Sequence, residues 1–222
     1  MRRVTRKKLK QDEFVSIVDQ MIHWFSENWR PVAAAAAAVV AVFLLWWGLS
    51  AWSGHRTAAA SEALAQAMEQ LDTAQTPEDR EDAEAALREV IDRYGRTAQA
   101  DEARVVLARL LAEDGKIDEA RQLLTKVAQK RKDSPTVRVA TLDLIGIQVS
   151  SGQAAEVIPQ LEAMVTGKDP RLPRDVALYE LAEVHIAEGN PSKAKEYLQK
   201  LMEDFPESPY ARQARQKLQE LG

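Results

Sequence analysis

The chain has 222 residues, 45% of them apolar and 29% charged, with a net charge of −4. It contains no cysteine, which excludes disulfides, zinc–thiolate sites and thiol nucleophiles. Only 6% of residues are aromatic; few windows alternate with period two and strong helix formers dominate, so the predicted class is all-α.

The first predicted element is an N-terminal tail, residues 1–30. It opens on the basic cluster RRVTRKKLK and continues with Phe14, Ile17, Val18, Met21, Ile22, Phe25 and Trp29 at helical spacing. This pattern predicts an amphipathic helix lying in a membrane interface, its basic end attracted to anionic headgroups. Nucleic-acid binding is set aside, because topology explains one short basic cluster beside a membrane span.

Residues 31–54 are the predicted transmembrane helix. Val32 to Trp52 form a 21-residue run without a charge, roughly 32 Å of helix against a hydrocarbon core of about 30 Å. Pro31 stands where the first helical turn begins and tolerates a missing N–H. All five tryptophans lie between positions 24 and 52, flanking the run as two interfacial belts. The run exceeds the apolar core of a cleaved signal peptide, although Ala51–Trp52–Ser53 offers a small-x-small site. Ala33 to Ala38 leave room for another helix to approach closely, or simply fill a span whose insertion energy comes from Val39–Trp47.

Charge sets the expected orientation. Residues 1–30 carry seven Lys/Arg against four acids, a net +3, while the rest of the chain carries −7. The positive-inside rule places the N-terminus in the cytoplasm and residues 55–222 outside it, which in a two-membrane cell is the periplasm.

The outer part reads as repeats. Gly115, Gly152 and Gly189 lie 37 residues apart, each between two helical segments. In the last unit, residues 175–208, Leu181 and Ala182 belong to a first helix, Gly189 to a turn, Ala194, Leu198 and Leu201 to the buried stripe of a second helix, and Pro206 ends it. Residues 101–134 fit the same frame through Leu107, Ala108, Leu111, Ala120, Leu124 and Val127. Residues 138–171 fit less well: Val157 replaces the small alanine, and Pro159 falls inside the second helix, where a kink is expected. An earlier half-unit carries Ala83, Leu87, Val90 and Tyr94, with a first helix over 58–72. Residues 208–221 read as a closing helix.

These units resemble the tetratricopeptide repeat, with His185 in place of its usual tyrosine and Leu178 in place of its tryptophan. The resemblance implies a solenoid of three to four helical hairpins with a C-terminal cap, each hairpin sharing its core with the next. It also implies a concave groove lined by the first helices. Carried onto this sequence, the groove positions are Val105, Arg109, Leu142, Val149, Val176, Tyr179, Glu183 and Ile186. Most are apolar, as expected of a partner site; the alternative is that several pack against the closing helix or one another. Basic tail, single span and acidic repeat domain together resemble the YfgM-like proteins of the bacterial inner membrane. That implies an ancillary, chaperone-like subunit of the Sec translocon, in contact with periplasmic chaperones or unfolded clients. The C-terminal units are also similar to repeats of BamD-like lipoproteins and of the Tol–Pal coordinator, and a purely structural linker subunit is a further alternative.

No catalytic motif is present: HExxH, GxSxG, Walker and GxGxxG patterns are missing from the sequence. His23, His55 and His185 are too far apart in this architecture to converge on a metal. His185 is expected in the core. The sequence predicts a protein-binding scaffold without cofactor, metal or enzymatic activity.

Overall fold

The computed structural model describes residues 29–130 and 133–222, with side chains left out of the description at positions 32, 35, 36 and 48–53. The expected amphipathic tail lies outside the described residues. Helices and turns make up the described chain, with no strand among those residues. The helices are α1 (Trp29–Thr73), α2 (Pro77–Tyr94), α3 (Ala98–Glu113), α4 (Ile117–Ala128), α5 (Pro135–Ser150), α6 (Ala154–Val165), α7 (Arg174–Ala187), α8 (Pro191–Asp204) and α9 (Ala211–Glu220). The chain divides into two compact units, Met1–Arg56 and Thr57–Gly222.

In the first unit, described side chains from Val39 to Trp47 include eight large apolar residues, all between 56% and 68% exposed. Among the described residues no helix is long and apolar enough to cross a membrane; the positions left out interrupt the 21-residue run seen in the sequence.

The second unit is built of hairpins. Local chemistry starts the helices: Thr76 accepts from the Asp79 N–H while the Asp79 carboxylate accepts from the Thr76 N–H, a reciprocal cap on α2. Thr97 caps α3 and Ser134 caps α5 through the N–H three residues on. Gly115, Gly152 and Gly189 stop α3, α5 and α7 with φ of 78°, 76° and 71°, a conformation that L side chains resist. After each glycine, an N–H (Lys116, Gln153, Asn190) donates to the carbonyl five residues back at 2.8 Å, closing the exposed helix end.

The 37-residue period extends through the core. Leu107, Leu144 and Leu181 are equivalent and buried, as are Leu124, Leu161 and Leu198, and Val127, Met164 and Leu201. Three clusters result. The first joins Leu64, Leu87, Leu107, Leu111, Leu124 and Leu144. The second joins Ile145, Val157, Leu161, Met164 and Leu181. The third joins Leu178, Leu198, Leu201 and Ala214 beneath the closing helix α9. The boundary between the first two falls within α5. Helix α6 runs unbroken from Ala154 to Val165 through Pro159, where the proline leaves the Ala155 carbonyl without its helical N–H.

Candidate protein-binding groove

Two clefts open along the first helices of the hairpins, α1, α3, α5 and α7, which make up the inner layer that the repeat resemblance implies. One, of about 380 Å³, is lined by Met68 and Leu71 of α1 and by Val106, Arg109 and Leu110 of α3, with Arg80 and Glu113 at its edge. The other, of about 480 Å³, is lined by Val139 and Leu142 of α5, Leu172 and Val176 beside α7, and Pro209 and Tyr210 before α9.

An ion pair joins α3 to α5 next to both clefts. Arg109 donates through Nε and Nη2 to the two Asp143 carboxylate oxygens at 2.7 and 3.1 Å. This fork geometry fixes orientation as well as charge. The hydrogen bond to Asp143 raises the affinity of the Arg109 guanidinium for its proton.

The positions carried over from the repeat pattern distribute unevenly. Val105 and Val176 are only 5% and 9% exposed, so Val105 contributes packing, and Val176 forms the floor of the second cleft. Leu142 and Val149 are half-buried against the second core cluster, and Leu142 shows part of its side chain to the cleft. The other three are covered from the C-terminal end. Tyr179 stands 5.1 Å from Tyr210, ring to ring; Glu183 pairs with Lys217 of α9 at 3.2 Å; Ile186 packs into the cluster that contains Leu218 and Leu221. Burial and the neighbouring Glu183 push the Tyr179 phenol upward in pKa. Glu180, largely desolvated and close to Glu183, is pushed up to about 7.

Several cleft residues are absent from the positions carried over. Val139 precedes Val176 by one 37-residue period, and that signal was readable in the sequence. Met68, Leu71, Val106 and Tyr210 had no such mark, because their place in a cleft depends on how neighbouring hairpins meet. His185 is buried at 3% exposure and stacked on Tyr197 with ring centroids 5.4 Å apart. Neither of its ring nitrogens has a hydrogen-bond partner, and burial disfavours its charged form.

The family described as Tetratricopeptide repeat-like domain matches residues 22–168. The chain belongs to that family. A second match, Tetratricopeptide repeat, spans residues 148–218 and takes in the last hairpins and the closing helix. No curated protein matches. Among solved structures, the chain is similar to a tetratricopeptide repeat protein from Parabacteroides merdae, with a TM-score of 0.53 and 16% identity; the likeness covers 73% of this chain and 59% of that one. It is also similar to nearly identical TPR-like repeats of a putative kinesin light chain from Podosopora anserina, at 20% identity and a TM-score of 0.46, over 67% of this chain and 86% of that one. At 16% identity the first of these likenesses speaks for the fold alone. Repeats of this type make a scaffold for protein–protein interaction, and that is the coarse function of the second unit.

Proposed function

We propose that this chain is a single-pass membrane scaffold whose repeat domain captures proteins on the inner layer, outside the cytoplasm. The observation that carries the reading is the pair of open, mainly apolar clefts on an otherwise charged domain. Anchoring is supported by the uncharged 21-residue run and its flanking tryptophans. The exposure of the large apolar side chains of Val39–Trp47, on an uncharged stretch of α1, adds to it. The family match begins at residue 22, ahead of the apolar run, so run and repeats are matched as one unit. The charge split supports a cytoplasmic N-terminus and a repeat domain in the periplasm of a two-membrane cell.

Within that reading, the resemblance to YfgM-like proteins favours a chaperone-like, ancillary role at a translocation or envelope-assembly complex, with no catalytic step. Protease added to spheroplasts is expected to digest residues 55–222; protection of that domain with loss of an N-terminal tag reverses the orientation. Crosslinking in membranes, then purification in mild detergent and mass spectrometry, is expected to recover many unfolded secretory chains. Recovery of a single stoichiometric membrane partner replaces the chaperone-like role by that of a structural linker.

A further inference from the structure

The 37-residue period aligns the three complete hairpins residue for residue, and one pair of positions breaks it. In α3/α4 the facing positions are Ala108 and Ala120, and in α7/α8 they are Ala182 and Ala194, all fully buried. In α5/α6 the same positions hold Ile145 and Val157, also buried. Alanines let two helix backbones come together, whereas two β-branched side chains hold them apart. The effect is visible: α5 and α6 approach one another much less closely along their backbones than α3 and α4 or α7 and α8.

Three further features mark the same hairpin. The boundary between the first and second core clusters falls inside α5, between Leu144 and Ile145, so this helix shares its core with both sides. Where α3 has Arg109 and α7 has Glu183, α5 has Gly146, and no heavy atom lies within 4 Å of a Cβ built there. Glycine inside a helix weakens it, and here no packing demand accounts for it. Pro159 removes a helical hydrogen bond from the middle of α6.

We propose that the α5–α6 seam is a hinge between two stiffer blocks, α1–α5 from Thr57 onward and α6–α9, and that its opening sets the width of the second cleft. The geometry gives the link to the cleft. Val139 and Leu142 stand on α5, one side of the seam; Leu172, Val176 and Tyr210 stand on the other. Helix α5 packs closely on α4, and its Val137, Ala140 and Leu144 belong to the first core cluster, so α5 moves with the first block. Rotation at the seam changes the separation of the cleft walls without disturbing either hairpin with an alanine pair. The hinge stands independently of which partner the cleft takes.

The test measures distances between nitroxide labels by pulsed electron resonance on the full-length chain in mild detergent. The chain has no cysteine, so introduced thiols label alone. Exposed positions serve: Gln122 with Gln199 across the seam, Glu81 with Gln122 inside the first block, and Gln199 with Gln213 inside the second. The cross-seam distribution is expected to be about two-fold wider than both others, as for a hinge between rigid bodies. It is expected to narrow in Gly146→Ala, for which space is open, and in Ile145→Ala/Val157→Ala, which gives the seam the alanine pair of its neighbours. Equal widths for all three pairs overturn the proposal. A cross-seam width unchanged in Gly146→Ala overturns it as well, and that result stands even if the double variant fails to fold.

Discussion

The middle hairpin and its two neighbours share one blueprint and differ in how it is filled. All three have a glycine in the left-handed region at the turn, and all three bury the same leucine and aliphatic positions 37 residues apart. The neighbours close on paired alanines; the middle one closes on Ile145 and Val157. Topology therefore follows from the turn and the apolar period, while helix spacing follows from the volume at one facing pair. A solenoid can carry a soft joint in this way without losing a repeat.

The largest expected effect comes from moving that difference. Ala182→Ile with Ala194→Val gives the last hairpin the facing pair of the middle one. Each substitution overpacks a fully buried site, at about 1–3 kcal/mol, and as neighbours the two need not add. Urea unfolding is expected to show a much lower midpoint. An unchanged midpoint means that the alanines do not set the spacing.

A smaller loss is expected at the joint itself. Val157→Ala removes buried methyl groups and leaves a small cavity, costing roughly 1–2 kcal/mol. A loss larger than that of the double substitution in the last hairpin reverses the ranking of stiff and soft regions.

Helix α7 gives a comparison in pH. Glu180 titrates at about 7 in the folded chain against 4.5 ordinarily, so the folded state holds its proton more tightly than the unfolded state does. Its stabilising share is full below about pH 4.5 and is lost as pH rises through 7. Glu180→Gln is therefore expected to raise stability at pH 8 by on the order of 2 kcal/mol, with little change near pH 4. His185 acts in the opposite sense. Its folded pKa lies below the ordinary 6.5, so stability falls as pH drops beneath about 6.5, and His185→Phe is expected to remove that slope. Unfolding midpoints at a series of pH values check both signs.

The period and the turn glycines were legible in the sequence because they are local: a left-handed turn needs glycine, and a buried stripe needs an aliphatic residue wherever it falls. Groove exposure was not legible in the same way. Tyr179 and Leu142 are equivalent by period, but Tyr210 covers the first and leaves part of the second open. That outcome depends on the closing helix, about thirty residues away. Val105 shares their register and is buried, because α3 is packed closely on both sides. Pro159 stands inside α6 without ending it, and the helix runs on to Val165.

The smallest expected effect concerns the ion pair that joins α3 to α5. Arg109 is 57% and Asp143 25% exposed at the side chain, so solvent screens the pair. Asp143→Asn is expected to cost no more than about 0.5 kcal/mol in 0.15 M salt. A loss of several kcal/mol marks the pair as a structural element of the first block instead of a surface tie.

The claim that the inner layer captures proteins is tested most directly by site-specific photocrosslinking of the full-length chain in its own membranes. A benzophenone amino acid is placed at Val139 or Leu142, in the second cleft, and at Gln122 or Gln199, exposed on the outer-layer helices α4 and α8. The expected result is covalent protein adducts from positions 139 and 142 and none above background from 122 and 199. Adducts from the outer positions alone, or from none of the four in a folded chain, contradict the account.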